Sequence, residues 1–394
     1  MTSRSVDEHA QAIRAALAAA LTPRAEEVPV RDALGRVLAG DVSAEIDLPV
    51  FRNSQMDGYA VAAADVPHPP VTLPVVGTVA AGDAGPRHLA AGTAVKIMTG
   101  APVPPGADCV IPVEDTAPDG TGVRILASRR PGDFVREAGS DVRAGETLLR
   151  AGARLTARQL AMFAAVGLAR VPVLRRPRVA VIATGAELVP AGTTLRPGQI
   201  YESNSTGLAA CVTANGGDPV LVGRSSDTPA EFGDLLTRAV ATADVVLTSG
   251  GVSMGDFEVV REVLTPLGGW FGHVAMQPGG PQGLTVVDGV PVLSFPGNPV
   301  SSLVSFEVFA RAELRRAAGL AARATGRATL TAPVQSPPGK RQFLRGRRVP
   351  GGVTLESGPG SHLVAALARA EVLLDIPEDV TTMQAGDDVR VWDL

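Results

Sequence analysis

Leu247-Thr248-Ser249-Gly250-Gly251-Val252-Ser253-Met254-Gly255-Asp256-Phe257 is the stretch whose reading decides the fold. The apolar run Asp244 to Leu247 leading into it reads as a buried parallel strand. Three glycines then turn the chain, and Phe257, Val260 and Leu264 space like one face of a helix. Strand, glycine-rich turn and helix form the element with which open α/β sheets bind ligands, at the carboxyl ends of their strands. The glycines let the backbone approach a ligand closely, and the N–H groups of the turn and helix start suit an oxyanion. Asp256 has two readings: a helix cap, or a carboxylate holding Mg²⁺ beside a phosphate-sized hole. Glycine motifs recur by chance, so the stretch alone leaves both open.

Around this element the chain alternates β and α from Arg178 onward. Val179 to Ala183 predicts a strand, followed by Thr184-Gly185-Ala186-Glu187. Asn204 to Asn215 predicts a helix stopped by Gly216. Val220 to Val222 predicts a strand, and Thr228-Pro229-Ala230-Glu231 a helix start with N-cap, Pro at the first position and Glu closing a capping box. Leu284–Val287 and Pro291–Phe295 flank Asp288-Gly289, a strong hairpin signal. Pro296-Gly297-Asn298-Pro299 leads into a helix from Val300 to Ala317. The expectation is a three-layer α/β domain with its loop ends gathered on one edge of the sheet.

The flanks read differently. Ser5 to Leu21 predicts an amphipathic helix with a Ser5/Glu8 capping box and Val6, Ala10, Ile13, Leu17 and Leu21 on one face. That face needs a partner, and another subunit is one possibility. Thr156 to Gly167 predicts a second helix, with Leu160, Phe163 and Ala164 inward; paired with the first it makes a stalk. Between them, Asp47 to about Gly139 holds short β-branched runs (Val71–Val79, Ala94–Met98, Val110–Val113, Val123–Ala127) divided by Pro and Gly, which predicts a small all-β domain. Asp57-Gly58 by itself is a turn, and Thr99-Gly100 by itself a strand end. Arg136 and Asp141 by themselves suit an ordinary surface pair. Thr329 to Leu394 returns to short strands. Its basic run, Lys340, Arg341, Arg345, Arg347 and Arg348, is either a solvated face or part of an anion site.

Composition narrows the function. A chain of 394 residues, 45% hydrophobic, has material for two to four domains. Only 4% of residues are aromatic, too few for base-stacking platforms, and a net charge of −4 argues against a nucleic-acid partner. No apolar run reaches membrane-spanning length and no signal-peptide pattern is present, so no membrane role is expected. Cys109 and Cys211 are far apart and read as small buried hydrophobes of a reducing, cytoplasmic protein. There is no GxxxxGK[ST] sequence and no His/Cys cluster for zinc. The loop ends supply acids (Asp57, Asp141, Glu187, Asp227, Asp256), hydroxyls (Thr99, Ser249, Ser253, Ser361) and glycine turns. Acids beside phosphate-cradling loops point to Mg²⁺-dependent phosphoanhydride chemistry.

As an ordered set, several motifs resemble one family: Asn53–Ala60, Lys96–Pro102, Arg136–Asp141, Thr184–Leu188, Gly198-Gln199-Ile200-Tyr201 with Ser203-Asn204, Ser249–Asp256, Pro278-Gly279, Pro296–Ser301 and Gly360-Ser361-His362. They resemble the molybdopterin molybdenumtransferases, the MoeA proteins, whose relatives include the enzymatic domain of gephyrin. The resemblance covers nearly the whole chain. It implies a multidomain α/β plus all-β fold: a stalk and dimerisation domain (1–46 and 140–176), an inserted β domain (47–139), a MogA-like three-layer α/β/α molybdopterin-binding domain (177–326) and a C-terminal small β-barrel (327–394). It implies a cytoplasmic homodimer with a cleft shared between subunits. The implied substrates are molybdate and adenylylated molybdopterin. Mg²⁺ assists cleavage of the adenylate, AMP leaves, and the molybdopterin adenylyltransferase is a transient partner.

By motif match, Asp57, Asp141, Asp227 and Asp256 would be the catalytic acids. Glu187, Asp227 and Asp256 would neighbour the metal. Thr99, Arg136, Ser249, Gly250, Gly251, Ser253, Pro296, Pro299, Arg345 and Ser361 would bind or shape the substrate site. One stretch departs from the pattern. Many members carry lysines in a KPGKP-like sequence, whereas this chain has Met276-Gln277-Pro278-Gly279-Gly280-Pro281, with His273 where another lysine can occur. Arg345, Arg341 or Lys340 is then expected to supply the missing charge. Gephyrin also keeps a second class open, a non-catalytic binding scaffold; the presence of every matched acid favours the enzyme.

Overall fold

The computed structural model describes residues 3–83, 88–253 and 258–394. The chain forms two compact units, Met1–Glu26 with Val173–Leu394, and Glu27–Pro172.

The larger unit is built on a seven-stranded mixed sheet. Its order is Ser3–Arg4, Trp270–Val274, Pro281–Val287, Val290–Phe295, Val245–Ser249, Arg178–Thr184 and Asp218–Ser225. The last four run parallel. Alternate residues of these strands feed two cores, which explains their continuous apolar sequence. Val179, Val181, Val245, Leu247, Leu293 and Phe295 pack on one face with the helices Val6–Ala20, Asn204–Ala214 and Pro299–Ser305. Ala180, Ile182, Val246 and Val292 pack on the other with Pro229–Thr242 and Val259–Leu264. The result is the expected three-layer arrangement. The Asp288-Gly289 hairpin forms with both residues at positive φ, 49° and 82°, as a primed turn requires.

Local capping follows the sequence in part. Ser5 and Glu8 close their capping box. Glu231 does not close one on Thr228; it accepts from the Ser226 hydroxyl instead. The helix expected over Val300 to Ala317 passes through a π-helical turn at Phe306–Ala310.

The first helix corrects an expectation. Its apolar face, Val6, Ile13, Leu17 and Leu21, is buried against this chain's own α/β layer, beside Leu293, Phe295, Phe306 and Leu314. It is therefore not the unpartnered face that called for a stalk helix or a second subunit. The preceding Ser3–Arg4 pairs with Trp270–Val274 and extends the sheet. Periodicity showed that the face was apolar, but not what covers it.

The C-terminal strands close on themselves. Arg341–Val349 pairs with Gly352–Leu355 and Val372–Ile376, which continues through Asp388–Asp393 to Thr325–Thr329. A Leu330–Val353 bridge completes the ring around a core of Leu344, Val353, Val372, Leu374 and Val391. At Gly352 a Cβ would meet the Thr329 carbonyl oxygen at 1.9 Å, so only glycine fits this closure. A short helix, Val364–Arg369, was not foreseen.

The smaller unit carries a six-stranded sheet in the order Cys109–Pro112, Gly58–Val61, Ala94–Ile97, Val71–Val79, Gly122–Ile125 and Thr116–Asp119. Among the described residues from 47 to 139 no α-helix occurs, matching the β-branched runs. Gly58 is a strand residue rather than a turn: a Cβ there would lie 2.0 Å from the Ile111 carbonyl oxygen. In the helix Ala157–Ala165, Phe163 is buried, but Ala164 faces outward and Val166 takes the inner place.

Candidate active site

Four loops leave the carboxyl ends of the parallel strands and converge on one cavity of about 860 Å³. Thr184 ends the first parallel strand in sequence, and Gly185 and Glu187 follow it; Asp227 follows the second, Gly250 to Ser253 the third, and Pro296 to Pro299 the fourth. Residues 200–204, 277–279 and 359–362 complete the wall. All belong to the larger unit. The position follows from topology, since the carboxyl edge of a parallel sheet is where βα loops leave a crevice.

The glycine turn is forced by packing. A Cβ on Gly250 would lie 2.6 Å from the Thr184 carbonyl oxygen, and one on Gly251 2.8 Å from Val260. Both have positive φ, 97° and 65°. Beneath it, Asn204 Nδ2 donates to Ser249 Oγ at 2.9 Å and to the Gly297 carbonyl at 2.7 Å, while Ser249 Oγ donates to the Pro296 carbonyl at 3.2 Å. Ser249 is thus buried under the floor and pins two loops together; it does not line the cavity. Gly250, Gly251, Ser253, Pro296, Pro299 and Ser361 do line it. Sequence reasoning missed the inward role of Thr184 and Asn204: Thr184 Oγ1 and Asn204 Oδ1 are buried in the wall with no partner among the described residues. Their signal was present, since both stand inside motifs quoted above.

Glu187, Glu202, Asp227 and Glu258 bring four carboxylates to the wall, and no Lys or Arg lines it among the described residues. Asp227 Oδ2 accepts from the Ala186 N–H at 3.0 Å. Glu202 accepts from the Ser205 N–H and Glu258 from the Ser253 N–H. The Glu187 carboxylate lies over Gly185, where a Cβ would be 2.7 Å from it. Among the described residues no three His, Cys, Asp or Glu side chains cluster into a closed metal centre. Glu187 and Asp227 line the cavity together and are a hard-oxygen pair. Such a set suits Mg²⁺, which takes one or two carboxylates and fills its shell with water and substrate oxygens. Asp256 lies outside the described residues.

Arg345 is fully buried. Its Nη2 donates to the carbonyls of Gly358 and Gly360, the latter at 3.0 Å, and to Ser357 Oγ at 3.2 Å. It therefore organises the loop that brings Gly360-Ser361 to the cavity and is not itself part of the lining. Arg341 is held by Asp375 at 2.7 Å and Asp7 at 2.9 Å. Neither of these nor Lys340 lines the cavity, so the expected replacement of the missing lysines by them is not found. His273 packs on Gly280 instead.

Asp57, Thr99, Arg136 and Asp141 belong to the smaller unit. Asp57 Oδ1 accepts from the Thr99 N–H at 2.7 Å and its hydroxyl at 2.8 Å, and these bonds hold its carboxyl below the usual aspartate range. Arg136 is exposed in Val135–Arg136, which pairs with Asn53–Ser54. No bond joins Arg136 to Asp141 among the described residues; the neighbouring Glu137 pairs with Arg52 at 2.9 Å.

Fold and cavity define a multidomain α/β protein with a polar ligand site at the open edge of a parallel sheet. The chain belongs to the MoeA family of molybdopterin molybdenumtransferases, enzymes of molybdenum cofactor biosynthesis. The MoeA N-terminal region (domain I and II) matches residues 4–167, the probable molybdopterin binding domain 180–316, and the MoeA C-terminal region (domain IV) 327–394. Molybdopterin molybdenumtransferase 2 of Mycobacterium tuberculosis is 48% identical, covering 99% of this chain and 100% of its own. The molybdopterin molybdenumtransferase of Nostoc sp. is 38% identical, covering 94% and 88%. A solved MoeA molybdopterin biosynthesis protein from Pyrococcus horikoshii superposes with a TM-score of 0.79 at 34% identity, covering 100% of this chain and 99% of its own.

Proposed function

We propose that this chain inserts molybdate into adenylylated molybdopterin, with Mg²⁺-dependent cleavage of the adenylate and release of AMP. The observation that carries the reading is Glu187 and Asp227 converging with the Gly250-Gly251 turn on one cavity, in a chain of this family. On this reading the Gly250–Ser253 backbone receives phosphate oxygens. Glu187 and Asp227, with Asp256 by sequence, would hold Mg²⁺. When bound it would neutralise charge on the phosphoryl oxygens. Asp57 and Asp141 are proposed catalytic acids of the smaller unit, with Thr99 and Arg136 as binding residues. Arg345 acts through the Gly358–Ser361 loop.

The protein is proposed to be a cytoplasmic homodimer of four-domain subunits that meets the molybdopterin adenylyltransferase transiently. Among the described residues no helix is long and apolar enough to cross a membrane. Molybdate-dependent AMP release from adenylylated molybdopterin by the purified protein tests the reaction. A protein that binds the nucleotide yet releases no AMP with molybdate and Mg²⁺ would be a scaffold instead. Sedimentation tests the dimer: a stable monomer at micromolar concentration removes it.

A further inference from the structure

Gln282 is a fully buried amide near the start of the strand Pro281–Val287. Side chains alternate along a strand, so Gln282 shares a face with Leu284, which packs in the core with Val300 and Val304 of the helix Pro299–Ser305. There its Nε2 donates twice, to the Gly279 carbonyl at 2.8 Å and to Ser305 Oγ at 2.7 Å. Ser305 Oγ in turn donates to the Ser301 carbonyl at 2.7 Å. The direction of this chain is forced. Both its ends are carbonyls, which only accept, and Ser301 engages the one hydroxyl hydrogen, so both amide hydrogens must come from Gln282. The two ends, Gly279 and Ser301, line the cavity; Gln282 and Ser305 do not. At Gly279 φ is 101° and a Cβ would lie 3.1 Å from Ser305 Oγ, so the turn sits close against the helix.

We infer that Gln282 is a positioning residue for ligand binding: it ties the Pro278-Gly279 turn to the first turn of the helix Pro299–Ser305, so that two separate parts of the cavity wall keep one spacing before the ligand arrives. The inference rests on the proposed reaction and adds to it a residue that acts on the ligand only through others. A wall already in place needs no ordering when the ligand binds. Without the tie, each binding event must order the turn against the helix again. The loss therefore falls on binding of the pterin nucleotide and not on the chemical step.

Steady-state AMP release from adenylylated molybdopterin at saturating molybdate tests this through the split between KM and kcat. Gln282→Met keeps the length of the side chain and removes both donors. It is expected to raise KM for the pterin nucleotide about tenfold with kcat within about twofold of the unmodified protein. Ser305→Ala cuts the link to the helix and leaves the Gly279 bond, for a rise of about threefold. The double variant is expected to have the KM of Gln282→Met alone, because both substitutions cut one chain. Val389→Ala, in the barrel core, destabilises the fold without touching the chain and is expected to leave KM unchanged. An unchanged KM in folded Gln282→Met overturns the inference, as do KM effects that multiply in the double variant or an equal KM rise in Val389→Ala. Should Gln282→Met not fold, an unchanged KM in Ser305→Ala overturns it. Each of these results leaves the proposed reaction standing, whereas no AMP release by the unmodified protein defeats both.

Discussion

Two regions of the larger unit concentrate charge: the carboxylate-lined cavity and the basic strand of the barrel. The sequence puts Arg341, Arg345, Arg347 and Arg348 on one strand, a natural place for a phosphate. In the structure three of that strand's arginines are paired with carboxylates: Arg341 with Asp375 and Asp7, Arg347 with Glu356, and Arg348 with Asp393; Arg345 donates through Nη2 to loop carbonyls and keeps Nε and Nη1 buried without a partner among the described residues. The cavity acids instead meet backbone N–H groups and an open volume. The deciding quantity is how much of each charge is already neutralised by the fold, not how many charges the sequence supplies.

Four substitutions sharpen or break this contrast. The largest effect is expected from Glu187→Gln. AMP release should fall about a hundredfold or more, near 2.7 kcal/mol of barrier, while the urea midpoint stays unchanged. Normal turnover would return Glu187 to a surface role. Next, Asp375→Asn in the barrel should destabilise by about 2–3 kcal/mol in urea unfolding. It is 2% exposed, accepts both Arg341 contacts at 2.7 Å, and also accepts from Trp392 Nε1 at 3.0 Å. A neutral result would mean that Arg341 is not committed to structure.

Arg345→Met should cost about 2 kcal/mol, since Nη2 alone reaches the Gly358 and Gly360 carbonyls and the Ser357 hydroxyl, and its removal leaves that loop without them. It should also raise KM more than it lowers kcat, through the displaced Gly360-Ser361 loop; unchanged kinetics would separate that loop from the ligand. The smallest effect belongs to Arg348→Ala. Its ion pair with Asp393 is 2.6 Å long but about half exposed on both sides, so the unfolding free energy should change by less than about 0.5 kcal/mol in urea titration. A loss of AMP affinity there would revive the basic strand as an anion site.

The sequence by itself determined the central layers. Apolar strands with both faces buried, the Asp288-Gly289 turn and the Gly250-Gly251 turn each have one low-energy local solution, and the structure adopts it. It also marked Glu187, Asp227, Gly250, Gly251, Pro296 and Ser361, because loops at the carboxyl ends of parallel strands must gather along one edge. Three things only the tertiary structure decided. The first helix turned its apolar face into its own α/β layer, because periodicity describes a face and not the surface that covers it. Ser249 and Arg345 went beneath the site and Thr184 and Asn204 into its wall, because these differ in side-chain direction rather than in motif membership. Gln277 met Gln342, 65 positions away, only through the register of two strands from different parts of the chain, and local sequence carries no record of that pairing.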